Sequence, residues 1–271
     1  MTYSDFIEVF GSVDAFSTAI NSRKVQKQFA GAQTSSDGSE SFTGTTSYEA
    51  ADNLLTNGDT SNLDKITAVN IKNAPVPNEL KNTLVKSVCG GVPLVPPVIM
   101  GVPKNMLTPK KAHQGARVVN LVYNCTFGAF TPAADIVLAG AKVVSLVKAL
   151  EARKIRVNLY TCVASRKKGQ TVCTLVKVKK AAAPLNMLRI AYPCINPSFL
   201  RRSWFRWLET CPAAINRGFV YGYGEPVRCC ATDTTAKNMI LSKVGKDAII
   251  LDGCKMINAN IDDKAKEIFA K

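Results

Sequence analysis

The polar residues best placed for chemistry lie just beyond two apolar runs that are typical of buried strands. The first run, Val118–Tyr123, leads into a loop, Asn124–Phe130, which contains Thr126. The second run, AIILDG, ends with Asp252 and a glycine. Ligands of open α/β sheets bind outside the carboxyl ends of the strands. We therefore expect this rim loop and Asp252 to form the functional rim of the sheet.

Two basic stretches could contact a polyanion. One is the turn SRKKGQ, and the other is the predicted helix SFLRRSWFRWLET, in which arginines alternate with aromatic residues. Their basic residues are Arg166, Lys167, Lys168, Arg201, Arg202 and Arg206. Guanidinium groups could bind phosphates while rings stack on bases, which would suit a nucleic acid. For the helix, the pattern favours the alternative of an amphipathic core helix with a solvated arginine face.

The sequence contains no recognisable catalytic constellation. The single histidine, His113, lies in a basic stretch, and no serine has the G-x-S-x-G context of a hydrolase nucleophile. No pair of acidic residues is placed convincingly for acid and base catalysis. We therefore predict that the protein is not an enzyme.

A βαβ unit is predicted to position the rim loop. Val118–Tyr123 is almost continuously apolar, which is typical of a strand buried on both faces of a parallel sheet. Thr131 is the expected N-cap of the following helix, Pro132 suits its first position, and Asp135 complements the helix dipole. The second strand begins at Arg156.

The rest of the second part completes an α/β fold. TVCTLVKVKK follows SRKKGQ and is predicted to return as one antiparallel strand at the sheet edge, where its lysines would discourage aggregation. A short helix, Pro184–Tyr192, should end at Pro193. The whole pattern predicts a mostly parallel sheet with one antiparallel edge strand and helices on both faces.

The N-terminal part is predicted to be helical and irregular. Residues 3–28 favour two helical pieces, with Asp14 as the N-cap of the second. Residues 31–47 are rich in Ser, Gly and Thr and contain almost nothing to bury, which predicts a mobile surface loop. Ser47 should cap a short helix that ends at Asn57 and Gly58.

A proline-rich stretch follows at residues 74–103. Its prolines exclude regular elements, and its apolar residues predict an extended strap packed across the core. We divide the chain into a helical and proline-rich region, residues 1–103, and an α/β domain, residues 104–271.

Charge is distributed unevenly along the chain. The net charge is +15, but the first 100 residues contain seven Lys or Arg and ten Asp or Glu, whereas the remaining residues contain 28 and 10. The net charges of the two parts are thus −3 and +18. A basic second part implies affinity for polyanions, of which nucleic acid is the commonest in a cell. The alternative is a solvated basic face that serves solubility.

Cysteine usage and hydropathy indicate the compartment. The nine cysteines lack C-x-x-C spacing and are odd in number, which predicts reduced, structural thiols in a reducing cytosol. No run of about 18 apolar residues and no signal-peptide pattern is found. We expect a cytoplasmic protein without membrane contact.

The order of strand, rim loop, helix, strand, reversed edge strand, helices and a strand ending in LDG resembles the von Willebrand factor type A fold, which is Rossmann-like. That resemblance implies a divalent-metal site at Asn124, Thr126 and Asp252. The pattern departs from the family, because Asn124 replaces an aspartate, Gly128 replaces a serine, and a leucine precedes Asp252. Mg²⁺ requires anionic oxygen ligands, so Mg²⁺ or Mn²⁺ binding is the less favoured expectation.

Four segments also resemble a family found mainly in bacteriophages and other mobile elements. They are SFTGTTSYEAADNLLTNGD at 41–59, GGVPLVPPVIMGVPKNM at 90–106, the unit 117–163, and LRIAYPCINPSFLRRSWFRWLE at 188–209. The resemblance implies a role inside an infected or carrier cell and implies no established activity.

These observations favour a non-enzymatic binding or scaffold protein in the host cytoplasm. Its rim loop would contact another protein, from phage or host, and its basic domain would contact nucleic acid. One alternative is a structural component of the virion. Another is a metal-dependent von Willebrand type A-like domain that uses Mg²⁺ or Mn²⁺.

Overall fold

The computed structural model describes residues 4–30, 32–68, 83–110, 117–219, 222–228 and 234–270. His113, Cys229 and Cys230 lie outside these ranges. The chain forms two compact units, one made of residues 1–74 and 118–271 and the other of residues 75–117. This division differs from the predicted boundary after residue 103, because the N-terminal segment belongs to the same unit as the main sheet.

The helices and strands follow one another as β1 (Phe6–Phe10), α1 (Val13–Ser22), α2 (Glu40–Thr43), α3 (Tyr48–Asn57), α4 (Leu63–Ala68), β2 (Thr83–Ser87), β3 (Val92–Pro93), α5 (Val95–Ile99), β4 (Met106–Lys110), β5 (Val118–Asn124), α6 (Ala133–Ala152), β6 (Arg156–Lys167), β7 (Gln170–Lys179), α7 (Met187–Ile195), α8 (Phe205–Thr210), α9 (Ala213–Asn216), β8 (Glu225–Pro226), α10 (Thr234–Val244), β9 (Ile249–Asp252), α11 (Gly253–Asn258) and α12 (Ile261–Ala270). Short 3-10 helices cover Lys27–Phe29 and Arg217–Phe219. A π-helix, Phe199–Trp204, runs directly into α8.

The main sheet has the strand order β1-β7-β6-β5-β9, and the short β8 pairs with the end of β6. β5 pairs in parallel with β6 and with β9, and β1 pairs in parallel with β7. Only the β6–β7 pairing among these four is antiparallel. The prediction of a mixed α/β fold with a mostly parallel sheet is therefore confirmed.

The predicted edge position of β7 is wrong, because β1 pairs along its outer side. Residues 6–10 were expected to be helical, but Phe6 aligns with Val172 and Phe10 with Val176 in a parallel ladder. A run of five residues is too short for its periodicity to separate strand from helix. The first helix then begins after Ser12, whose Oγ accepts the Ala15 N–H at 3.1 Å, rather than after Asp14.

The predicted βαβ unit is present as β5, α6 and β6. The N-cap position is occupied by Pro132 and makes no side-chain hydrogen bond, so the expected cap at Thr131 is wrong by one residue. Lys168 and Gly169 join β6 to β7 with φ angles of 50° and 79°. Two successive residues with positive φ form the tight turn that matches the twist of a two-stranded hairpin.

Helices cover both faces of the main sheet. Alternate residues of β5 enter different clusters: Leu121 and Tyr123 pack in the larger one, and Val122 packs in the smaller one. The larger cluster contains side chains of α1, α6 and α7, and the smaller one contains Ala236 and Ile240 of α10. The rim loop, residues 124–130, therefore leaves a strand that is buried on both sides.

Two further predictions about local structure are wrong. Helix α7 continues through Pro193 to Ile195, although the proline was expected to end it. Residues 31–47 were expected to be a mobile loop, but α2 lies within them, and Ser35, Thr43 and Thr45 are buried. By contrast, Ser47 caps α3 as predicted, with its Oγ accepting the Ala50 N–H at 3.1 Å.

The smaller unit contains an antiparallel sheet with the order β2-β4-β3, together with α5. The expectation that proline excludes regular elements from residues 74–103 is therefore wrong. Pro96 lies in the first turn of α5, where a missing N–H costs no hydrogen bond. The apolar side chains Val95, Ile99 and Met100 are exposed rather than packed in a core.

Gly140 allows the close approach of α6 and α7 and provides a test of this packing. A Cβ at this position would fall on the carbonyl oxygen of Cys194 and 2.7 Å from Ile195 Cα. Alanine normally stabilises a helix interior by about 1 kcal/mol relative to glycine, so the two effects have opposite signs.

We predict that Gly140→Ala lowers the free energy of unfolding by about 1–3 kcal/mol, the usual cost of overpacking, as measured by urea denaturation. Leu138→Ala on the same helix, at a side chain that is 41% exposed, should change it by no more than about 0.5 kcal/mol. A Gly140→Ala protein as stable as the unsubstituted one would contradict the close packing.

Candidate functional site

The strand ends bring the three predicted rim residues together. Asn124 and Asp252 are aligned partners at the carboxyl ends of β5 and β9. Asn124 Oδ1 accepts hydrogen bonds from Thr126 N at 3.3 Å and from Thr126 Oγ1 at 2.6 Å. Asn124 Nδ2 donates to the carbonyl oxygen of Val227 at 3.0 Å. The rim loop is thus folded back on the end of its own strand.

The donor set at these residues does not fit a divalent metal ion. Thr126 Oγ1 accepts the Ala164 N–H at 2.9 Å while it donates to Asn124, so both of its roles are structural. Asp252 Oδ1 caps α11 by accepting the Cys254 N–H at 3.0 Å. Of the side-chain oxygens of these three rim residues, Asp252 Oδ2 alone is buried without a hydrogen-bond partner in the described parts of the chain. One carboxylate oxygen cannot supply the several hard ligands that Mg²⁺ requires.

The distribution of metal-binding side chains agrees with this geometry. Within the ranges that the structure describes, no group of three His, Cys, Asp or Glu side chains could hold a metal ion. We therefore assign no metal chemistry to the rim.

A cavity of about 580 Å³ opens at the same rim. Thr126 and Phe127 of the rim loop lie on one side of it, and residues 32–43 lie on another. We call it the aromatic cavity, after the rings that line it: Phe42, Phe127, Trp204, Phe205 and Tyr223. Its volume is within the range of pockets that enclose a small organic ligand, about 300–1,000 Å³.

Two of the rings form a stacked pair. The centroids of Phe205 and Tyr223 are 3.6 Å apart, and their planes differ by 4°. Trp204 meets Phe205 edge-on at 5.9 Å. Trp204 is 1% exposed, and its indole N–H has no acceptor among the described residues. A buried donor without a partner is costly in a folded protein, so this group is a candidate ligand contact.

The π-helix sets the positions of several cavity residues. It carries Leu200, Arg201 and Trp204 into the lining, and Phe205 follows at the start of α8. π-Helical segments are rare and occur frequently at functional sites. The widened turn thus coincides with the place where aromatic rings and a cation meet the cavity.

Arg201 and Arg202 do not form the solvated face that the sequence suggested, because both are buried. Arg201 donates to Phe42 O at 2.5 Å and Thr131 O at 2.8 Å, and its guanidinium lies 4.1 Å from the centre of the Phe42 ring. Burial lowers the pKa of Arg201 from its ordinary value. Arg201 therefore joins the wall at Phe42 to the rim loop.

Arg202 is fully buried and forms hydrogen bonds that hold residues 35–45 in place. Its Nη1 donates to Ser35 O at 3.0 Å and Ser36 O at 3.2 Å, and its Nη2 donates to Thr43 Oγ1 at 3.1 Å and Thr45 O at 3.0 Å. Neither buried arginine is placed to bind a phosphate in this conformation. Their role is to hold one wall of the cavity.

Glu209 connects the same wall to the opposite side. Its carboxylate accepts Ser35 N at 2.6 Å, Ser35 Oγ at 2.7 Å and Tyr223 Oη at 2.5 Å. Arg206 lies 3.8 Å away and packs over the ring of Tyr48. Burial raises the pKa of Glu209 above its ordinary value, although these hydrogen bonds and Arg206 act in the opposite direction.

The basic turn between β6 and β7 lies beside the aromatic cavity. Arg166, Lys167 and Lys168 line a second hollow of about 380 Å³, which we call the basic hollow. Gly222 and Gly224 line both spaces, so the segment 222–226 separates them. Lys168 is exposed, and Lys167 Nζ donates to Gly222 O at 2.9 Å.

Comparison with known proteins gives a family. A family model described as a domain of unknown function, DUF7192, matches residues 2–271. The chain belongs to this family. No curated protein and no solved structure matches it. In the described ranges, no helix is long and apolar enough to cross a membrane.

Within this DUF7192 chain, sequence reasoning found the rim but not the cavity. Asn124, Thr126 and Asp252 meet as the strand-end rule predicts, whereas two of the cavity walls come from segments that showed no clear pattern. Tyr223 lies in a glycine and aromatic loop, and Phe42 lies in the segment that was expected to be mobile. The one sequence signal for this wall of the cavity was the run GYGEP, in which Tyr223 lies between two glycines.

The raised pKa of Glu209 makes stability depend on pH with a defined sign. In the unfolded chain, the pKa of Glu209 is near its ordinary 4.5. Because the pKa is higher in the folded protein, folded Glu209 keeps its proton at a pH at which the unfolded chain has lost it. The folded state then binds more protons, so this group lowers the free energy of unfolding as pH rises through that window. We predict that Glu209→Gln removes this decline.

The measurement is the urea unfolding midpoint between pH 4 and pH 7, compared as the difference between unsubstituted protein and variant. Glu225→Gln, which makes the same substitution at an exposed carboxyl, serves as the control. Parallel pH profiles for the unsubstituted and Glu209→Gln proteins would contradict the prediction.

Proposed function

We propose that the chain is a non-enzymatic binding protein that contacts nucleic acid at the carboxyl rim of its sheet. The basic residues Arg166, Lys167 and Lys168 are the proposed contact. The observation that carries the proposal is their position: they line the basic hollow directly beside the aromatic cavity. Cations next to aromatic rings are the combination that proteins use for phosphates and bases.

Electrostatics support the basic hollow as a polyanion site. Burial lowers the pKa of Lys167, and the like charge of Lys168 lowers it further. An anion bound between them would relieve this repulsion and favour the charged form of Lys167. The net charge of +18 over residues 101–271 would attract a polyanion over a longer range.

The arginines of the helix take no part in this proposed contact. The sequence suggested Arg201, Arg202 and Arg206 as a nucleic-acid surface, but the first two are buried and donate to protein oxygens. Arg206 is partly exposed and lies over a tyrosine ring. The proposal therefore rests on the β6–β7 turn alone.

We also propose that the fold is of the von Willebrand type A kind and that the protein acts in the cytoplasm of a cell carrying a phage or mobile element. The rim loop after β5, the reversed β7 beside β6, and the ending of β9 in LDG beside β5 support the fold assignment. The additional strand β1 outside β7 is a departure from the pattern.

A second candidate function is docking of a protein partner on the rim loop. The side chain of Phe130 is 101% exposed, at a turn in which Thr131 N donates to Gly128 O at 3.1 Å. A large ring held fully in water is unfavourable unless a partner covers it, and buried aromatic anchors dominate many interfaces. Phe130 would be such an anchor.

The nucleic-acid proposal predicts a change in salt dependence. Lys168→Ala should weaken binding to an oligonucleotide and reduce the slope of log K against log salt by about 0.7–0.9, the value for one phosphate contact. Fluorescence anisotropy between 50 and 200 mM salt would measure it. Lys266→Ala on α12, an exposed lysine near Asp263, is the matched control and should leave the slope unchanged.

If Lys168→Ala and Lys266→Ala reduce the slope of log K against log salt by the same amount, binding depends on overall charge and not on the basic hollow. Absence of binding at low salt would remove the nucleic-acid function altogether.

The docking proposal predicts the outcome of affinity capture from host cells. Tagged protein should retain a specific partner after nuclease treatment, and Phe130→Ala should reduce the recovery of that partner at least several-fold because the anchor is lost. Leu188→Ala, another exposed apolar side chain, is the control. A partner that is lost with nuclease, or that is retained by Phe130→Ala, would rule out docking at Phe130.

A further inference from the structure

We propose that the aromatic cavity takes a single unstacked base of a single-stranded nucleic acid whose backbone lies in the basic hollow. This inference rests on the proposed function and specifies its ligand. It adds a second site, made of rings, to the site made of cations.

The rings supply a surface for a planar group. Phe205 and Tyr223 are stacked on each other 3.6 Å apart, so a base could stack only on an outer face of the pair, and Phe42 and Phe127 line the same space. A space of about 580 Å³ is large enough for a nucleobase with its sugar. Stacking on aromatic side chains accepts any base, because every base has a π-face.

Trp204 supplies a polar contact within the rings. Trp204 is one of the residues that line the cavity. Its indole N–H is buried and has no acceptor in the described part of the chain. Bases present carbonyl oxygens and ring nitrogens at their edges, and these accept hydrogen bonds. A base that reaches this N–H from the cavity would satisfy a donor that the protein leaves unpaired.

The charges of the cavity favour a neutral group inside and phosphates outside. Arg201 and Asp37 are its charged lining residues, and they balance each other. Arg201 already donates to two carbonyl oxygens, and Asp37 accepts the Thr34 N–H at 2.8 Å. A phosphate would find no surplus of cations here. The basic hollow is lined by three cationic residues, Arg166, Lys167 and Lys168, and by one carboxylate, Glu225.

The path between the two spaces crosses glycines. Gly222 and Gly224 line both the aromatic cavity and the basic hollow, and neither has a side chain to obstruct a strand that passes over them. Gly224 has a φ of 82°, and a Cβ there would lie 2.8 Å from the Phe219 ring. The glycine is thus required by the fold of the wall itself.

These features select single strands over duplexes. Bases in a duplex are paired and stacked, so none can enter the cavity without being turned out of the helix. A single strand can place one base among the rings while its neighbours stay in solvent. Duplex binding would use the basic hollow alone.

The test compares four fluorescently labelled probes of equal length: single-stranded DNA, single-stranded RNA, the duplex, and an abasic DNA strand. Both single strands should bind about tenfold more tightly than the abasic strand and the duplex, as expected for one stacked base. Binding of the single strands should also quench tryptophan fluorescence. Of the two tryptophans, Trp204 lines the cavity and Trp207 does not, so the quenching is expected to arise at Trp204.

Variants separate the two sites. Tyr223→Ala should reduce single-strand affinity to the abasic level while the salt slope is retained, and Leu138→Ala, an exposed side chain of α6 outside the cavity, should change neither. Trp204→Phe, which keeps a ring but removes the donor, should lose several-fold in affinity and provides the same test if Tyr223→Ala fails to fold. Thermal unfolding would confirm that each variant is native.

Equal affinity for all four probes, with a normal salt slope, would overturn base uptake and leave the polyanion function intact. No salt-dependent binding of any probe would overturn both. Preference for one of the two single strands would support the inference and show whether the ligand is RNA or DNA.

Discussion

The buried guanidinium of Arg202 is the constraint on which the candidate site depends. It donates to oxygens of Ser35, Ser36, Thr43 and Thr45, so one side chain fixes four points of a segment that has few apolar groups of its own. A buried cation is costly unless acceptors replace its water, and breaking such a set would leave both the charge and the carbonyls unsatisfied. The segment is therefore ordered by polar bonds to a distant helix rather than by burial of apolar side chains.

The π-helix and Glu209 extend this constraint around the cavity. Arg202 holds one end of the wall, and Glu209, one residue before the end of α8, accepts from Ser35 and from Tyr223 on the opposite side. Three segments that are remote in sequence thus meet at one carboxylate. Burial raises the pKa of this carboxyl, while these donors and Arg206 act in the opposite direction. The polar network therefore fixes the walls of the cavity, and the rings line it.

The sequence predicted the elements that depend on local patterns. It did not predict those that depend on contacts between residues far apart in the chain. β5, α6, β6 and β7 follow from local apolar periodicity, and the meeting of Asn124 with Asp252 follows from the strand-end rule. β1 was missed because its five residues become a strand only through pairing with Val172–Val176, far along the chain. The order of residues 31–47 was missed for the same reason, since its stabilising partners are Arg202 and Glu209. Composition reports what a segment can bury but not which distant donors it will meet.

Asn124 shows that neutral hydrogen bonds, rather than charge, organise the rim. The von Willebrand type A pattern has an aspartate there, which can only accept hydrogen bonds when ionised. An asparagine keeps an acceptor for Thr126 and adds a donor, and that donor binds the carbonyl oxygen of Val227. The bond ties the strand end to the segment that carries Tyr223 and the two cavity glycines. Asn124 therefore supplies no anionic oxygen to the rim, and its amide donor holds a wall of the aromatic cavity. On the function proposed here, this rim encloses a neutral planar group, and the cations that would meet phosphates lie on the neighbouring turn.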